Sequence, residues 1–133
     1  MIFIDTSAII ALIAAEADAK VFTERLEVDN ERISAGHVIL EASMRLATLL
    51  GINPTAADDL VTRLLREAEI RIVPITEEIA HGSVVAFERF GKGRGSRASL
   101  NFGDCLSYAC AKAYGARLLF KGEDFAHTDA ARA

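Results

Sequence analysis

Four acids fall where a chain of alternating strands and helices could gather them. Asp5 follows the apolar run Ile2-Phe3-Ile4, and Glu41 lies in Ile39-Leu40-Glu41. Asp104 lies in Asn101-Phe102-Gly103-Asp104, and Asp124 in Lys121-Gly122-Glu123-Asp124. Each alone has an ordinary use. Asp5 can cap a helix, and Asp104, three residues after Asn101, can complete a capping box. Asp124 suits a glycine-containing turn. Glu41 shares a helix face with Arg45 and Thr48, which suits a solvated surface. Together they mean more. Two carboxylates about 5 Å apart repel by roughly 3 kcal/mol at an effective dielectric near 20. A cluster of three or four therefore needs a cation or must take up protons. No cluster of His and Cys lies beside them in the sequence, so the ligand set is oxygen, which favours Mg²⁺ or Mn²⁺ over Zn²⁺. That chemistry suits phosphodiester hydrolysis, where a divalent ion activates water and neutralises phosphate charge.

The elements that must position these acids follow from the hydrophobic pattern. Ile2-Phe3-Ile4 is a buried strand, and Asp5-Thr6-Ser7 supplies helix caps after it. Residues 8–15 are apolar all round, so that helix is buried or covered by a partner. A second helix spans 18–26, with Val21, Phe22 and Leu26 on one side. Residues 32–35 form a strand closed by Gly36. A helix follows from about 38 to 50, with Ile39, Ala42, Leu46, Leu49 and Leu50 as its apolar stripe, and Gly51 stops it. The next helix starts at Asn53-Pro54-Thr55 and turns Leu60, Val61, Leu64, Leu65 and Ala68 inward. Residues 70–73 are a strand broken by Pro74. Thr76-Glu77-Glu78 opens a helix to about Phe90, 101–114 is a helix, and 117–120 is the last strand. The reading is α/β: one domain over 1–133, with a mainly parallel central sheet of four to five strands flanked by helices. Ligands of such sheets sit beyond the carboxyl ends of the strands, where Asp5 and Asp124 fall.

Composition narrows the function. Of 133 residues, 51% are hydrophobic and 26% charged, which describes a globular chain and not a disordered one. The net charge of −4 argues against binding nucleic acid through a broad basic surface. It leaves open an acidic site that meets nucleic acid through a cation. One basic stretch exists, the glycine-rich loop 91–97, where Lys92, Arg94 and Arg97 are candidates for RNA phosphates. Lys121 could touch phosphate or be a plain surface lysine. His37, His81 and His127 are scattered; His127 falls near the acids but reads as a surface or helix-start residue. Cys105 and Cys110 lie on different faces of one helix and read as buried thiols in a reducing compartment. Asp5 interrupts the apolar start, which is shorter than the ~20 residues of a membrane span, so no membrane role and a cytoplasmic location are expected.

Three stretches together resemble VapC-type PIN-domain toxins: Ile2-Phe3-Ile4-Asp5-Thr6-Ser7-Ala8, Asn101-Phe102-Gly103-Asp104-Cys105-Leu106-Ser107-Tyr108-Ala109, and Leu118-Leu119-Phe120 running on through Asp124 to Asp129. With Glu41 between them, they run in the family's order across nearly the whole chain. The resemblance implies a PIN-like fold and a Mg²⁺- or Mn²⁺-dependent endoribonuclease acting on single-stranded RNA. It implies Asp5, Glu41, Asp104 and Asp124 as the metal-binding, catalytic quartet, with Glu123 and Asp129 as neighbours that could replace Asp124. It implies Thr6 or Ser7 as a polar group orienting Asp5. It also implies a small homodimer held inactive by a VapB-type antitoxin, whose C-terminal segment enters the active-site groove. Two other readings compete. An aspartyl phosphatase or phosphotransferase would use Asp5 as nucleophile but wants a second acid at position 7, where Ser7 stands. A non-catalytic α/β interaction module would have no need of all four acids.

Overall fold

The computed structural model describes residues 1–133. The chain starts in β1 (Ile2–Ile4), which is buried along its whole length. A strand apolar on both faces needs cover on both, and parallel sheets provide it. There follow α1 (Thr6–Ile13), α2 (Ala19–Val28), β2 (Arg32–Ala35), α3 (Gly36–Leu50) and α4 (Pro54–Glu67). The second half comprises β3 (Ile70–Val73), α5 (Glu77–Phe90), α6 (Phe102–Ala113), β4 (Arg117–Leu119) and a 3₁₀ turn at Phe125–His127.

The four strands are all parallel, in the order β3-β2-β1-β4. Phe3 stands opposite Ile33 on one side and Leu118 on the other. The chain steps from β1 outward to β2 and β3, then returns to the far side of β1. The strand order reverses there, and in open α/β sheets the crevice at such a switch point takes the ligand. Asp5 ends β1 beside the loop that leaves β4, and its N–H donates to the Leu119 carbonyl at 3.1 Å. Beyond β4, residues 131–133 return to pair with Leu118: its N–H donates to Ala131 O (2.8 Å) and its carbonyl accepts from Ala133 N (3.0 Å). This covers an otherwise open sheet edge.

Two helices differ from the sequence reading in a way that matters to the site. Gly36 does not close β2 as a separate turn. Ala35 is extended and serves as N-cap, and α3 starts at Gly36 itself. Glu41 therefore lies in the second turn of α3. The buried face of α3 is Val38, Ala42, Ser43 and Leu46, whereas Leu49 and Leu50 are exposed. Apolar residues surround most of this helix, so residue type alone could not choose the inward face. In α2, likewise, Phe22 and Leu26 are buried but Val21 is exposed. The remaining helices begin and end close to where caps and glycines place them. Thr76 accepts from Ile79 N–H at 3.2 Å to cap α5, and Gly51, at φ +64°, ends α3 in the left-handed conformation that favours glycine. Both cysteines are free and buried in α6, and no helix is long and apolar enough to cross a membrane.

Candidate active site

Asp5 is built into the site by its own helix. As N-cap of α1, its Oδ2 accepts from Ser7 N–H (3.2 Å) and from the Ser7 hydroxyl (2.8 Å). That hydroxyl oxygen in turn accepts from Lys121 N–H at 3.0 Å. A short relay thus hangs the loop after β4 from the carboxylate at the end of β1. The other oxygen, Oδ1, is buried and has no partner. A buried anionic oxygen without a donor is costly unless a cation meets it. Of Thr6 and Ser7, only Ser7 reaches Asp5; the Thr6 hydroxyl is buried and unpartnered.

Asp104 is held by the start of α6. Asn101 N–H donates to Asp104 Oδ2 at 3.0 Å, and Asp104 N–H donates to Asn101 Oδ1 at 2.8 Å. This is a complete capping box. The structural use of Asp104 and its place at the site therefore coexist, as they do for Asp5. Its carboxyl group is pushed up to about 7, first by burial and then by the charges of Asp5, Asp124 and Glu41, against the Asn101 N–H, which favours the ionised form. Carboxylates from three other segments are therefore near enough to act on Asp104.

Glu41 is half-buried on α3 and lays its carboxylate over Gly103, in the first turn of α6. Asp124 is exposed, at the N-cap of the 3₁₀ turn, with no side-chain cap bond to occupy it. Asp129 lies elsewhere. It accepts from Tyr108 Oη and from Lys112 Nζ (3.1 Å), with Arg89 at 3.8 Å, and the Tyr108 hydroxyl beside it holds its carboxyl below the ordinary value. Neither Glu123 nor Asp129 is among the charges that raise Asp104. No three acid, histidine or cysteine side chains already converge on a single point in metal-ligating geometry. Unneutralised carboxylates repel, so neighbours held slightly apart are the expected arrangement. The donor set is oxygen throughout, and with the orphaned Asp5 Oδ1 it fits a hard divalent cation.

His37 has a larger part than its isolation in the sequence suggests. Its Nε2 shares a 2.8 Å hydrogen bond with Ser107 Oγ on α6, and its ring stacks on Phe3 at 6.3 Å between centroids. Burial holds it below the ordinary histidine value, against the opposing charge of Asp5. The signal was a spacing: His37–Glu41 and Gly103–Ser107 are both i, i+4 pairs on facing helices. Lys121, in the loop after β4, pairs with Glu16 (3.3 Å) and Asp18 (3.5 Å) in part-exposed contacts. Lys92, Arg94 and Arg97 are exposed on the loop whose ends are pinned by Lys92 N–H to Leu100 O (2.9 Å) and Leu100 N–H to Phe90 O (2.9 Å). That loop leads straight into Asn101. A groove of about 740 Å³ opens beside Ser7, walled by Ile10, Met44, Arg45, Leu49 and Lys121.

Comparisons with known proteins assign this fold to a class of nuclease. The PIN domain model matches residues 2–131. Ribonuclease VapC30 of Mycobacterium tuberculosis is 40% identical over 96% of this chain and 95% of its own length. Ribonuclease VapC28 of the same organism is 41% identical over 98% of this chain and 96% of its own length. Among solved structures, M. tuberculosis VapC20, described as a sarcin-ricin loop cleaving toxin, superposes with a TM-score of 0.79 over the whole of this chain and 98% of its own. At 18% identity that likeness speaks for the fold alone. The chain belongs to the PIN-domain family, and within it to the VapC-type ribonuclease toxins. The phosphotransferase and non-catalytic readings are thereby set aside.

Proposed function

We propose that Asp5, Glu41, Asp104 and Asp124 form a divalent-cation site at which the protein hydrolyses RNA phosphodiester bonds internally. The observation that carries this is the pair of Asp104, pushed up to about 7 by burial and three acids, and Asp5, left with a buried unpartnered oxygen. Mg²⁺, or Mn²⁺ in its place, would supply phosphate neutralisation and water activation there. Asp5 and Asp104 are the direct ligands. Glu41 binds the ion or orients the attacking water, and Asp124 completes the site from the loop after β4. Ser7 keeps Asp5 in one orientation by donating to Oδ2, which leaves the buried Oδ1 without a donor and available to a cation. Lys92, Arg94 and Arg97 hold RNA phosphates along the loop that enters α6.

The same reading includes regulation. The groove beside Ser7 is walled in part by apolar Ile10, Met44 and Leu49, and it suits the C-terminal segment of a VapB-type antitoxin. The exposed face of Val84, Phe87 and Phe102 suits the interface of a homodimer. The location is cytoplasmic.

The test is cleavage of a pool of small structured RNAs by protein freed of any partner. Its arms are Mg²⁺, Mn²⁺ and EDTA, each beside the Asp5→Asn, Asp104→Asn double variant. Cleavage that needs metal and vanishes in the variant supports the site. Cleavage that persists in EDTA, or in the variant, removes it.

A further inference from the structure

We propose that Gly103 is a positioning residue: its lack of a side chain seats the Glu41 carboxylate beside Asp104, at a helix spacing set by the His37–Ser107 contact. This rests on the reading of Glu41 as a member of the acid site.

Gly103 is buried in the first turn of α6, in ordinary helical backbone. Glycine is not required there by conformation, and in a helix it costs up to about 1 kcal/mol relative to alanine. Something else keeps the position empty. A Cβ at 103 would stand 2.9 Å from Glu41 Oε2, 3.0 Å from Oε1 and 3.1 Å from Cδ. Real methyl groups do not approach a carboxylate so closely. Gly82, inside α5, provides the contrast: its nearest neighbour would be Ala109 Cβ at 3.8 Å, an ordinary contact.

The atoms in the way at Gly103 are the far end of a flexible side chain. An alanine there is accommodated by swinging the Glu41 carboxylate aside, not by opening the fold. One turn away, the same two helices are fixed by the 2.8 Å bond of His37 Nε2 with Ser107 Oγ, and Phe3 stacks on His37. His37 and Glu41 are four apart on α3; Ser107 and Gly103 are four apart on α6, in the opposite sense. The two contacts are rungs of one seam. The lower rung sets how far apart α3 and α6 stand, and the missing side chain in the upper rung leaves room for a carboxylate between them.

The experiment compares Gly103→Ala, Glu41→Gln, their double variant and Gly82→Ala. The readouts are Mn²⁺ affinity by calorimetry, RNA cleavage, and thermal unfolding in EDTA. Gly103→Ala should be at least as stable as the parent without metal, yet bind Mn²⁺ about tenfold more weakly and cleave correspondingly less. Gly82→Ala should gain stability with Mn²⁺ affinity unchanged. Adding Glu41→Gln to Gly103→Ala should weaken Mn²⁺ binding little further, since both remove the same carboxylate.

Parent-like Mn²⁺ affinity in Gly103→Ala, with weakening in Glu41→Gln, overturns the proposal and leaves the Glu41 assignment standing. Unchanged binding and cleavage in Glu41→Gln overturns both. A double variant that loses the full product of the two single effects shows independent action and also overturns it. Should Gly103→Ala not fold, Glu41→Ala in the same chain removes the obstructing side chain. Recovery of the fold supports the contact, and failure to recover refutes it.

Discussion

The two ends of α6 each meet an aspartate, and the fold treats them in opposite ways. At the amino end, Asp104 is buried, bonded to the backbone of its own cap and surrounded by Asp5, Glu41 and Asp124, so its carboxyl rises to about 7. At the carboxyl end, Asp129 is half-exposed and met by Tyr108, Lys112 and Arg89, so its carboxyl falls below the ordinary value. Both are acids with hydrogen-bond donors of their own. The difference is the company: a structural acid is given donors and cations, whereas the acids at the sheet edge are given one another. Groups whose charge is opposed by their surroundings mark where a protein has stored something for chemistry.

The largest break in this comparison comes from neutralising the acid end. Asp104→Asn should lower cleavage by a factor on the order of 10² to 10³, read as kcat/KM on a defined RNA. Asp129→Asn should leave that rate unchanged. If both variants lose activity alike, the two ends do not differ in kind. The pH dependence of stability follows with opposite signs. Asp104 has a folded value above its ordinary 3.8, so its favourable contribution is complete below that value and is lost as pH rises through about 7. Asp129 is lowered, so its contribution is present above its ordinary value and is lost as pH falls through the folded one. In EDTA, Asp104→Asn should therefore unfold at a higher temperature than the parent at pH 8, with the gap closing toward pH 4. A gap that does not change with pH would remove the electrostatic account.

Smaller effects sharpen the same contrast. Ser7→Ala removes the hydroxyl donor from Asp5 Oδ2, leaving only the backbone N–H of residue 7, and takes the acceptor from the Lys121 N–H; it should weaken Mn²⁺ binding about tenfold. Asp129→Asn should cost about 1 kcal/mol in denaturant unfolding, since its ionic partners are half-exposed. Smallest of all, joint replacement of Lys92, Arg94 and Arg97 by alanine should raise KM several-fold at low salt and leave kcat alone. A fall in kcat instead would place that loop in the chemistry.

Much of this was legible in the chain because it is local. The cap at Asp5, the Asn101–Asp104 box, the Thr76 cap and the Gly51 stop each involve residues within a few positions, and the structure has them where the sequence puts them. The alternation of strand and helix required a parallel sheet, and with it a place for acids at strand ends. The opening, central and closing motifs announced the family. Asp129 shows where local reading stops: it is as near Asp124 in sequence as a site acid needs to be, yet it pairs with Lys112 and Tyr108.

Tertiary structure decided the rest, because burial is a choice among partners that no single segment holds. Apolar residues lie on most sides of α3, and packing against α1, α4 and α6 selected Val38, Ala42 and Leu46 for the inside and left Leu49 in water. That rotation turned Glu41 toward Gly103 and His37 toward Ser107. The sequence by itself determined which acids exist, which elements carry them and which family they belong to. Only tertiary packing determined which of them meet, that of α3 on α6 in the case of Glu41. The energy that decides that packing is the removal of apolar surface from water, which is proportional to area and indifferent to direction, so it emerges only when all the helices are in place.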